Sequence, residues 1–169
     1  MAFLVRHRAG AIGFALAVLG LLLDQGFKVW MIHGLGIAGI APIRLLPVLD
    51  LVMVWNRGIS YGLFTQDTDL GRWVLAGFTL VASLAIAIWL SRTARTLPAI
   101  SLGLVLAGAL GNGIDRWVYG AVADFFHFHV GAFSWYVFNL ADVWIVAGVA
   151  GLLYDSLAFR PKDAAKSGH

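Results

Sequence analysis

The sequence of 169 residues contains no cysteine and no glutamate, and only 12% of its residues are charged. The absence of cysteine excludes a disulfide framework, thiol catalysis and thiolate metal sites. All nine acidic residues are aspartates, so carboxyl chemistry in this chain must use aspartate. A soluble domain would have about twice this charged fraction. Because 60% of the residues are hydrophobic and the mean hydropathy is +0.85, the composition predicts an integral membrane protein.

Four segments are long and apolar enough to cross about 30 Å of hydrocarbon as helices. They are residues 11–32, 73–90, 97–114 and 137–154. The second and third contain no charged residue. Basic residues precede the first segment, as in a signal peptide, but the segment is too long and no clear cleavage site follows it. We therefore expect it to be retained as a span.

The fold class predicted from these segments is an all-α integral membrane protein with four transmembrane helices in one membrane domain, residues 1–169. Basic residues before the first span, between the second and third, and after the fourth make up seven of the twelve in the chain: Arg6, Arg8, Arg92, Arg95, Arg160, Lys162 and Lys166. The positive-inside rule places this side, and with it both termini, in the cytoplasm. The connections 33–72 and 115–136 then lie on the outer face. The net charge of +3 is better explained by this orientation than by binding to nucleic acid.

The outer segment, residues 33–72, is predicted to be a small extramembrane β-rich segment. Residues 42–55 are rich in leucine and valine, and Pro47 interrupts them. Because proline is confined to edges and ends of strands, residues 48–55 are the clearest strand, with any earlier strand short or at an edge. A turn and a short surface helix are expected after Gly58, and the polar tail 161–169 is expected to be disordered.

The polar residues of the spans fall near their outer ends. Asp24 and Lys28 are four residues apart, a spacing typical of an ion pair that holds the helix bundle. Asp115 and Arg116 could form an interfacial ion pair or a helix-end feature. Asn112 shares their helical face if the helix persists that far. Together these residues predict one polar cluster at one depth.

Two asparagines of this cluster have two open interpretations. Asn112 lies near the end of the third span, and Asn139, three residues before Asp142, lies near the start of the fourth. Either amide could form hydrogen bonds between helices, as polar side chains in membranes often do, or could orient a substrate backbone. The residues alone leave both roles open.

Two further carboxylates lie near span ends. A carboxylate at a membrane boundary is costly unless it is paired, solvated or functional. Asp124 and Asp142 are therefore either solvated interfacial side chains or a catalytic pair. Two carboxylates that share a site cannot both ionise cheaply, so such a pair would hold one proton and could activate water.

A metal site is the alternative suggested by two histidines. His127 and His129 alternate in an extended-looking run and could lie on one face of a strand, beside Asp124. The chain has no His-Glu-x-x-His motif and no glutamate that would act as a base. Interfacial histidines beside aromatic residues are the better explanation, so we expect neither a metal nor a cofactor.

The chain resembles the bacterial lipoprotein signal peptidases, the signal peptidase II family, in four motifs that occur in the same order. They are DQGFK at residues 24–28, NRGISYG at 56–62, GALGNGIDR at 108–116 followed by VADF at 122–125, and FNLAD at 138–142. Any one of these motifs would be weak evidence. All four in this order, distributed over four spans, are highly specific for the family.

The resemblance implies a hydrolase, an aspartic endopeptidase of the bacterial cytoplasmic (inner) membrane with its active site at the outer face. Such an enzyme removes the signal peptide from diacylglyceryl-modified prolipoproteins and cuts before the lipidated cysteine. The catalytic pair would be Asp124 and Asp142. Substrate binding or support of the active site would involve Asn56, Asn112, Arg116 and Asn139. Residues with structural roles would be Asp24, Lys28, Gly58 and Asp115.

The resemblance also implies inhibition by the cyclic peptide globomycin, and membrane lipid as the surroundings. No metal, cofactor or nucleic acid is implied. Because both aspartates lie in one chain, a monomer would suffice.

Two other classes of function compete with a peptidase. A small proton- or ion-coupled transporter is one, since intramembrane aspartates are typical of proton relays. Against it, the acidic residues gather at one face and the second span carries no charge. A structural subunit of a membrane complex is the other, but it leaves the shared depth of the polar groups unexplained.

Overall fold

The computed structural model describes residues 2–58 and 69–158 of the chain. Four long helices are present: α1 (Ala2–Val29, continued by a π-helical turn over Trp30–Gly34), α2 (Asp69–Arg92), α3 (Thr96–Tyr119) and α4 (Leu140–Ala158). Each is long and apolar enough to cross a membrane, which confirms the four predicted spans. The turn and short helix expected after Gly58, and the tail 161–169, lie outside the described residues.

The helix boundaries differ from the predicted spans where polar residues continue a helix or apolar residues form a strand. α3 does not stop at residue 114 but runs to Tyr119, because its polar residues find partners inside the fold. It ends at Gly120, whose left-handed backbone (φ 76°) lets its N–H donate to the carbonyl of Arg116. The fourth helix begins at Leu140, not at residue 137, since residues 137 and 138 belong to a strand.

A four-stranded antiparallel sheet accompanies the helices, in the order β1 (Ile43–Leu46), β2 (Leu49–Asn56), β3 (Val122–Val130) and β4 (Phe133–Phe138). The strand predicted at residues 48–55 is confirmed as β2, and β1 is the short edge strand before it. Assigning β structure to residues 33–72 alone was incomplete, because half of the sheet comes from the second connection. There β3 and β4 form a hairpin that turns at Gly131 (φ 57°).

The middle helix, α3, packs directly against α1 and α4 through its glycines. A Cβ added at Gly108 would meet the carbonyl of Ala141 at the start of α4, and one added at Gly111 would meet the carboxylate of Asp24 on α1. The glycines of α3 thus form a packing face, because small residues let neighbouring helices approach closely. This close approach brings the start of α4 against the second half of α3 and the end of α1, where the polar side chains lie.

Candidate active site

Nearly all the polar residues singled out in the sequence meet at one end of the helix bundle. They come from the last turns of α1, the second half of α3, the first turn of α4 and the strands β2 and β3. Hydrogen bonds and ion pairs join them into one network: Asp24, Lys28, Asn56, Gly58, Asn112, Asp115, Arg116, Asp124, Asn139 and Asp142.

Asp142 is positioned by the start of α4. Asn139 precedes the helix, and its Oδ1 accepts a hydrogen bond from the backbone N–H of Asp142 at 3.1 Å. In return the Oδ2 of Asp142 accepts from the backbone N–H of Asn139 at 3.2 Å. This reciprocal pair is a capping box, with aspartate in the place that Glu or Gln commonly occupies. It fixes the carboxylate at the N-terminus of a helix, where a negative charge is favoured.

Asp124 lies on β3 and is 2% exposed. Its Oδ1 accepts from Nδ2 of Asn139 at 2.6 Å, and its Oδ2 accepts from Nδ2 of Asn56 on β2 at 3.1 Å. Burial and, second, the charge of Asp142 raise the pKa of Asp124 to about 7, against the opposing effects of the two amide hydrogen bonds and of the charge of Lys28. Asn139 therefore contacts both carboxylates, and near neutral pH Asp124 readily holds a proton.

Asn112 is oriented by a cation. Its Oδ1 accepts hydrogen bonds from Nζ of Lys28 at 3.2 Å and from Nδ2 of Asn139 at 3.1 Å. Since lysine can only donate, the oxygen of the Asn112 amide must face Lys28 and its nitrogen must face the other way. That nitrogen donates to Oδ1 of Asp142 at 2.9 Å. Lys28 and Asn139 together thus determine which atom of Asn112 faces Asp142.

Lys28 also lies between two buried carboxylates. Its Nζ is 2.9 Å from Oδ2 of Asp24 and 2.8 Å from Oδ2 of Asp115. The predicted pair of Asp24 and Lys28 is confirmed and gains a third member. Asp115, for which an ion pair with Arg116 was one of two interpretations, forms an ion pair with Lys28 of α1.

The two carboxylates that bind Lys28 hold the backbone beside the two site aspartates. Oδ1 of Asp24 accepts from the N–H of Ala141 at 3.0 Å, one residue before Asp142. Oδ2 of Asp115 accepts from the N–H of Ala123 at 3.1 Å, one residue before Asp124. Asp24 and Asp115 therefore hold the backbone next to Asp142 and Asp124, from which these two side chains project.

Arg116 and Gly58 join β2 to α3. The guanidinium of Arg116 donates to the backbone carbonyls of Asn112 at 3.1 Å and Gly58 at 3.4 Å. The N–H of Gly58 donates to Oδ1 of Asn56 at 3.1 Å, which leaves the Asn56 nitrogen facing Asp124. These bonds hold the end of β2 over the carboxylates.

Both carboxylates line one small cleft of about 80 Å³. This volume accommodates about two waters, since a water's share of liquid volume is ~30 Å³. Asn56, Asn112 and Arg116, to which the resemblance assigns substrate binding or support, also line the cleft. Tyr136 and Val137 of β4 line it as well, and the sequence analysis missed them because it did not predict that strand.

Gln25 is the other polar residue that sequence reasoning passed over. Its Nε2 lies 3.1 Å from Oδ2 of Asp24 and 3.0 Å from Oδ1 of Asp115, so it bridges the two carboxylates that bind Lys28. Its position next to Asp24, inside a motif quoted for the family resemblance, was the available signal.

The two histidines of β3 form hydrogen bonds within the sheet and not with the residues of the cleft. Nε2 of His129 is 3.1 Å from Oδ2 of Asp50, and Nε2 of His127 is 2.7 Å from Oγ of Ser134. In residues 2–58 and 69–158 no three histidine or aspartate side chains are grouped so as to hold a metal ion. Their hydrogen-bond partners account for both histidines as parts of the sheet.

The chain is similar to known proteins both in sequence and in fold. Residues 16–158 match the family described as Signal peptidase (SPase) II. A lipoprotein signal peptidase of Methylocella silvestris is 53% identical over 157 residues, covering 93% of this chain and 91% of that protein. A lipoprotein signal peptidase of Methylorubrum extorquens is 52% identical over 142 residues, covering 84% of this chain and 83% of that protein.

Solved structures share the fold. One, described as a bacterial membrane enzyme structure at 2.3 Å resolution, superposes with a TM-score of 0.74 at 22% identity and covers 91% of this chain and 94% of that one. Another, a bacterial membrane enzyme structure at 1.9 Å resolution, gives a TM-score of 0.72 at 24% identity and covers 86% of this chain and 92% of that one. With the family match over residues 16–158 and relatives about half identical over most of their length, the chain belongs to the signal peptidase II family.

Proposed function

We propose that this protein is an aspartic endopeptidase of the bacterial inner membrane that processes prolipoproteins. It removes the signal peptide by cutting before a cysteine that carries a diacylglyceryl group. The catalytic groups are Asp124 and Asp142, supported by Asn56, Asn112, Arg116 and Asn139. The enzyme acts as a monomer without a metal or cofactor, and globomycin inhibits it.

One observation carries this proposal. Asp124 and Asp142 line the same small cleft and are hydrogen-bonded to the same residue, Asn139. One of them has its pKa raised to about 7, while the other is held at a helix N-terminus that favours its negative charge. Two carboxyl groups that share a cleft but lie in different surroundings can supply an acid and a base to one bond.

The chemistry follows from this difference. Asp142, as the ionised member, takes a proton from a bound water, and the water oxygen bonds to the scissile carbonyl carbon. Asp124 gives its proton to the carbonyl oxygen, so a neutral tetrahedral intermediate forms. When this intermediate collapses, the carbon–nitrogen bond breaks and the amine of the lipidated cysteine leaves with a proton that the pair returns. A new carboxyl end remains on the signal peptide.

The position of the cleft suits a substrate anchored by acyl chains. The network lies at the end of the bundle opposite Arg8, Arg92 and Arg95, which the positive-inside rule assigns to the cytoplasm. The sheet and the cleft then lie at the outer face, and both termini are cytoplasmic. A cysteine whose acyl chains remain in the bilayer presents its peptide bond at this interfacial depth.

Cleavage of a defined substrate tests the proposed function. We expect the purified protein in detergent to convert a synthetic diacylglyceryl-modified prolipoprotein to two products, detected by a gel shift and by mass spectrometry at the bond before the cysteine. The same polypeptide without the diacylglyceryl group is the matched control and is expected to stay intact. No product from the lipidated substrate, under conditions in which an established signal peptidase II cuts it, would refute the proposal.

The pH dependence of cleavage is a second expectation. Because the pKa of Asp124 is raised to about 7, the proton it donates is present below this pH and is lost above it. We expect kcat/KM to fall on the alkaline side with an apparent pKa of about 7 that belongs to the pair. Asn56→Ala removes a hydrogen bond that lowers this pKa, so the alkaline limb is expected to move to higher pH. A limb that stays in place or moves down would contradict the assignment of Asp124 as the acid.

A further inference from the structure

The side-chain amide of Gln25 on α1 contacts three acceptors behind the cleft. Its Nε2 lies 3.1 Å from Oδ2 of Asp24, 3.0 Å from Oδ1 of Asp115 and 3.1 Å from the backbone carbonyl of Gly111 on α3. Ionised carboxylates and carbonyls only accept hydrogen bonds, so the nitrogen of this amide, and not its oxygen, must face them. The two hydrogens of one nitrogen thus serve three acceptors and tie α1 to α3.

Lys28 bridges the same two carboxylates in a different way. Its Nζ binds Oδ2 of Asp24 and Oδ2 of Asp115. An ammonium group is a compact charge with rotatable donors, so it attracts a carboxylate without fixing the rotation of the carboxylate plane. Gln25 binds the other oxygen of Asp115, Oδ1. With one contact on each oxygen, the plane of the Asp115 carboxylate is fixed.

The orientation of Asp115 affects the backbone that leads to Asp124. Its Oδ2 binds Lys28 and also accepts from the N–H of Ala123, the residue before Asp124. If the carboxylate rotated, this oxygen would leave one of its two donors. By holding Oδ1, Gln25 keeps Oδ2 in place for both of them.

Asp24 makes the corresponding contact on the other side of the site. Its Oδ2 lies at the Gln25 amide, and its Oδ1 accepts from the N–H of Ala141, the residue before Asp142. The amide of Gln25 therefore links the carboxylate that holds the backbone beside Asp142 to the one that holds the backbone beside Asp124. Because an amide is planar and its donors point in fixed directions, this link is more rigid than the bridge through an ammonium group.

We propose that Gln25 is a positioning residue that sets the separation and relative orientation of Asp124 and Asp142 for cleavage. The inference rests on the proposed function, because only a reaction that uses both carboxylates requires a defined separation. Gln25 lies outside the set of residues that line the cleft, and it acts through Asp24 and Asp115. Its loss is therefore expected to impair the chemical step and to leave substrate binding intact.

Gln25→Met tests the proposal, since methionine keeps the length of the side chain and removes both donors. In purified protein assayed with the synthetic diacylglyceryl prolipoprotein, kcat is expected to fall by about 10–100-fold with little change in KM, because a displacement of about 1 Å at the reacting groups costs up to about 10²-fold in rate. Leu22→Met, at an exposed position of the same helix, is the matched control and is expected to keep the wild-type kcat and KM.

The pH profile separates positioning from stability. The charge of Asp142 raises the pKa of Asp124, and this effect weakens with distance. Two carboxylates that repel each other move apart when the link between their supports is lost, so in Gln25→Met the alkaline limb of kcat/KM is expected to move to lower pH. A residue that only stabilised the helix bundle would lower the unfolding midpoint and leave the limb of the folded enzyme in place.

Gln25→Asn is the second variant, for which the fold is less at risk. Asparagine keeps an amide but is shorter by one methylene, so it cannot reach both carboxylates, and changes in the same direction are expected. Unchanged kcat and an unmoved alkaline limb in the folded variants would overturn the inference. A rise in KM alone would also overturn it, since Gln25 would then contact the substrate. Failure of the wild-type protein to cut the substrate would instead overturn the proposed function, so the two failures are distinguishable.

Discussion

Asp124→Asn and Asp142→Asn are each expected to abolish cleavage of the lipidated prolipoprotein, with kcat lowered by about 10²–10⁴-fold, while the protein remains folded. Asparagine keeps the shape of the side chain and one oxygen, so each variant keeps an acceptor for the bond from Asn139 and loses only the acceptor that faces Asn56 or Asn112. It removes the proton that Asp124 donates, or the charge with which Asp142 activates water. Because the two groups act on one bond, the double variant is expected to be about as inactive as either single one.

The measurement is product formation in detergent, together with substrate binding and the thermal unfolding midpoint of each variant. Asp50→Asn is the matched control, since Asp50 lies on the same sheet but binds His129 outside the cleft, and it is expected to retain activity. Activity retained by either site variant, with the fold intact, would mean that the pair is misassigned and that Asp115 should be tested next. A peptidase loses cleavage and keeps substrate binding, whereas a purely structural subunit loses neither.

The helical part of the fold was predictable because it depends on a local property. A run of about 20 apolar residues is needed to cross a bilayer, and each span of this chain shows such a run without reference to the rest. The same local property misplaced the ends. Val137 and Phe138 are as apolar as a span, but they form the end of β4, whereas the polar residues after 114 continue α3. Hydropathy measures how apolar a segment is. It does not distinguish an apolar strand within a sheet from an apolar helix within the lipid.

The members of the candidate site were predictable where two of them lie on one helix. Asp24 and Lys28 are four residues apart, and that spacing alone predicted their ion pair, which the fold contains. The contact between Lys28 and Asn112 joins residues 84 positions apart, so no spacing rule indicates it. The orientation of Asn112 toward Asp142, which follows from this contact, is therefore a property of the packed fold.

The cleft residues that were not predicted, Tyr136 and Val137, lie on β4, the strand that was not predicted. Tyr136 lines the cleft only because β4 pairs with β3 and turns back at Gly131. The alternating run at His127 and His129 predicted an extended segment, which is part of β3. No second strand after it was predicted, so the β3–β4 hairpin was missed. A β-strand is stabilised largely by contacts with the neighbouring strand, which its own residues do not reveal. The sequence of β4 therefore lacks a local pattern as strong as the long apolar run of a membrane span.

Replacement of Lys28 by methionine is expected to have the largest effect on stability. Methionine has a similar length but no charge, so two carboxylates that are fully buried, those of Asp24 and Asp115, lose the ammonium group that binds both. Breaking a buried ion pair by removing one partner costs about 3–5 kcal/mol, because the remaining charge is left uncompensated. We expect a loss of this size in the free energy of unfolding, measured through tryptophan fluorescence in detergent. Arg92→Met, at an exposed position, is the matched control and is expected to change little.

Removing the two charges along with the lysine separates stability from activity. In the variant that combines Lys28→Met with Asp24→Asn and Asp115→Asn, no buried charge lacks a partner, so much of the lost stability is expected to return. Cleavage is expected to remain impaired, because the oxygen of Asn112 keeps only the bond from Asn139 and the side chains that hold the backbone beside Asp142 and Asp124 are altered. Recovery of both stability and full activity would show that Lys28 serves only to balance charge. Recovery of stability alone would show that this cluster does more than balance charge, as expected if Lys28, Asp24 and Asp115 also position Asn112 and the backbone beside Asp142 and Asp124.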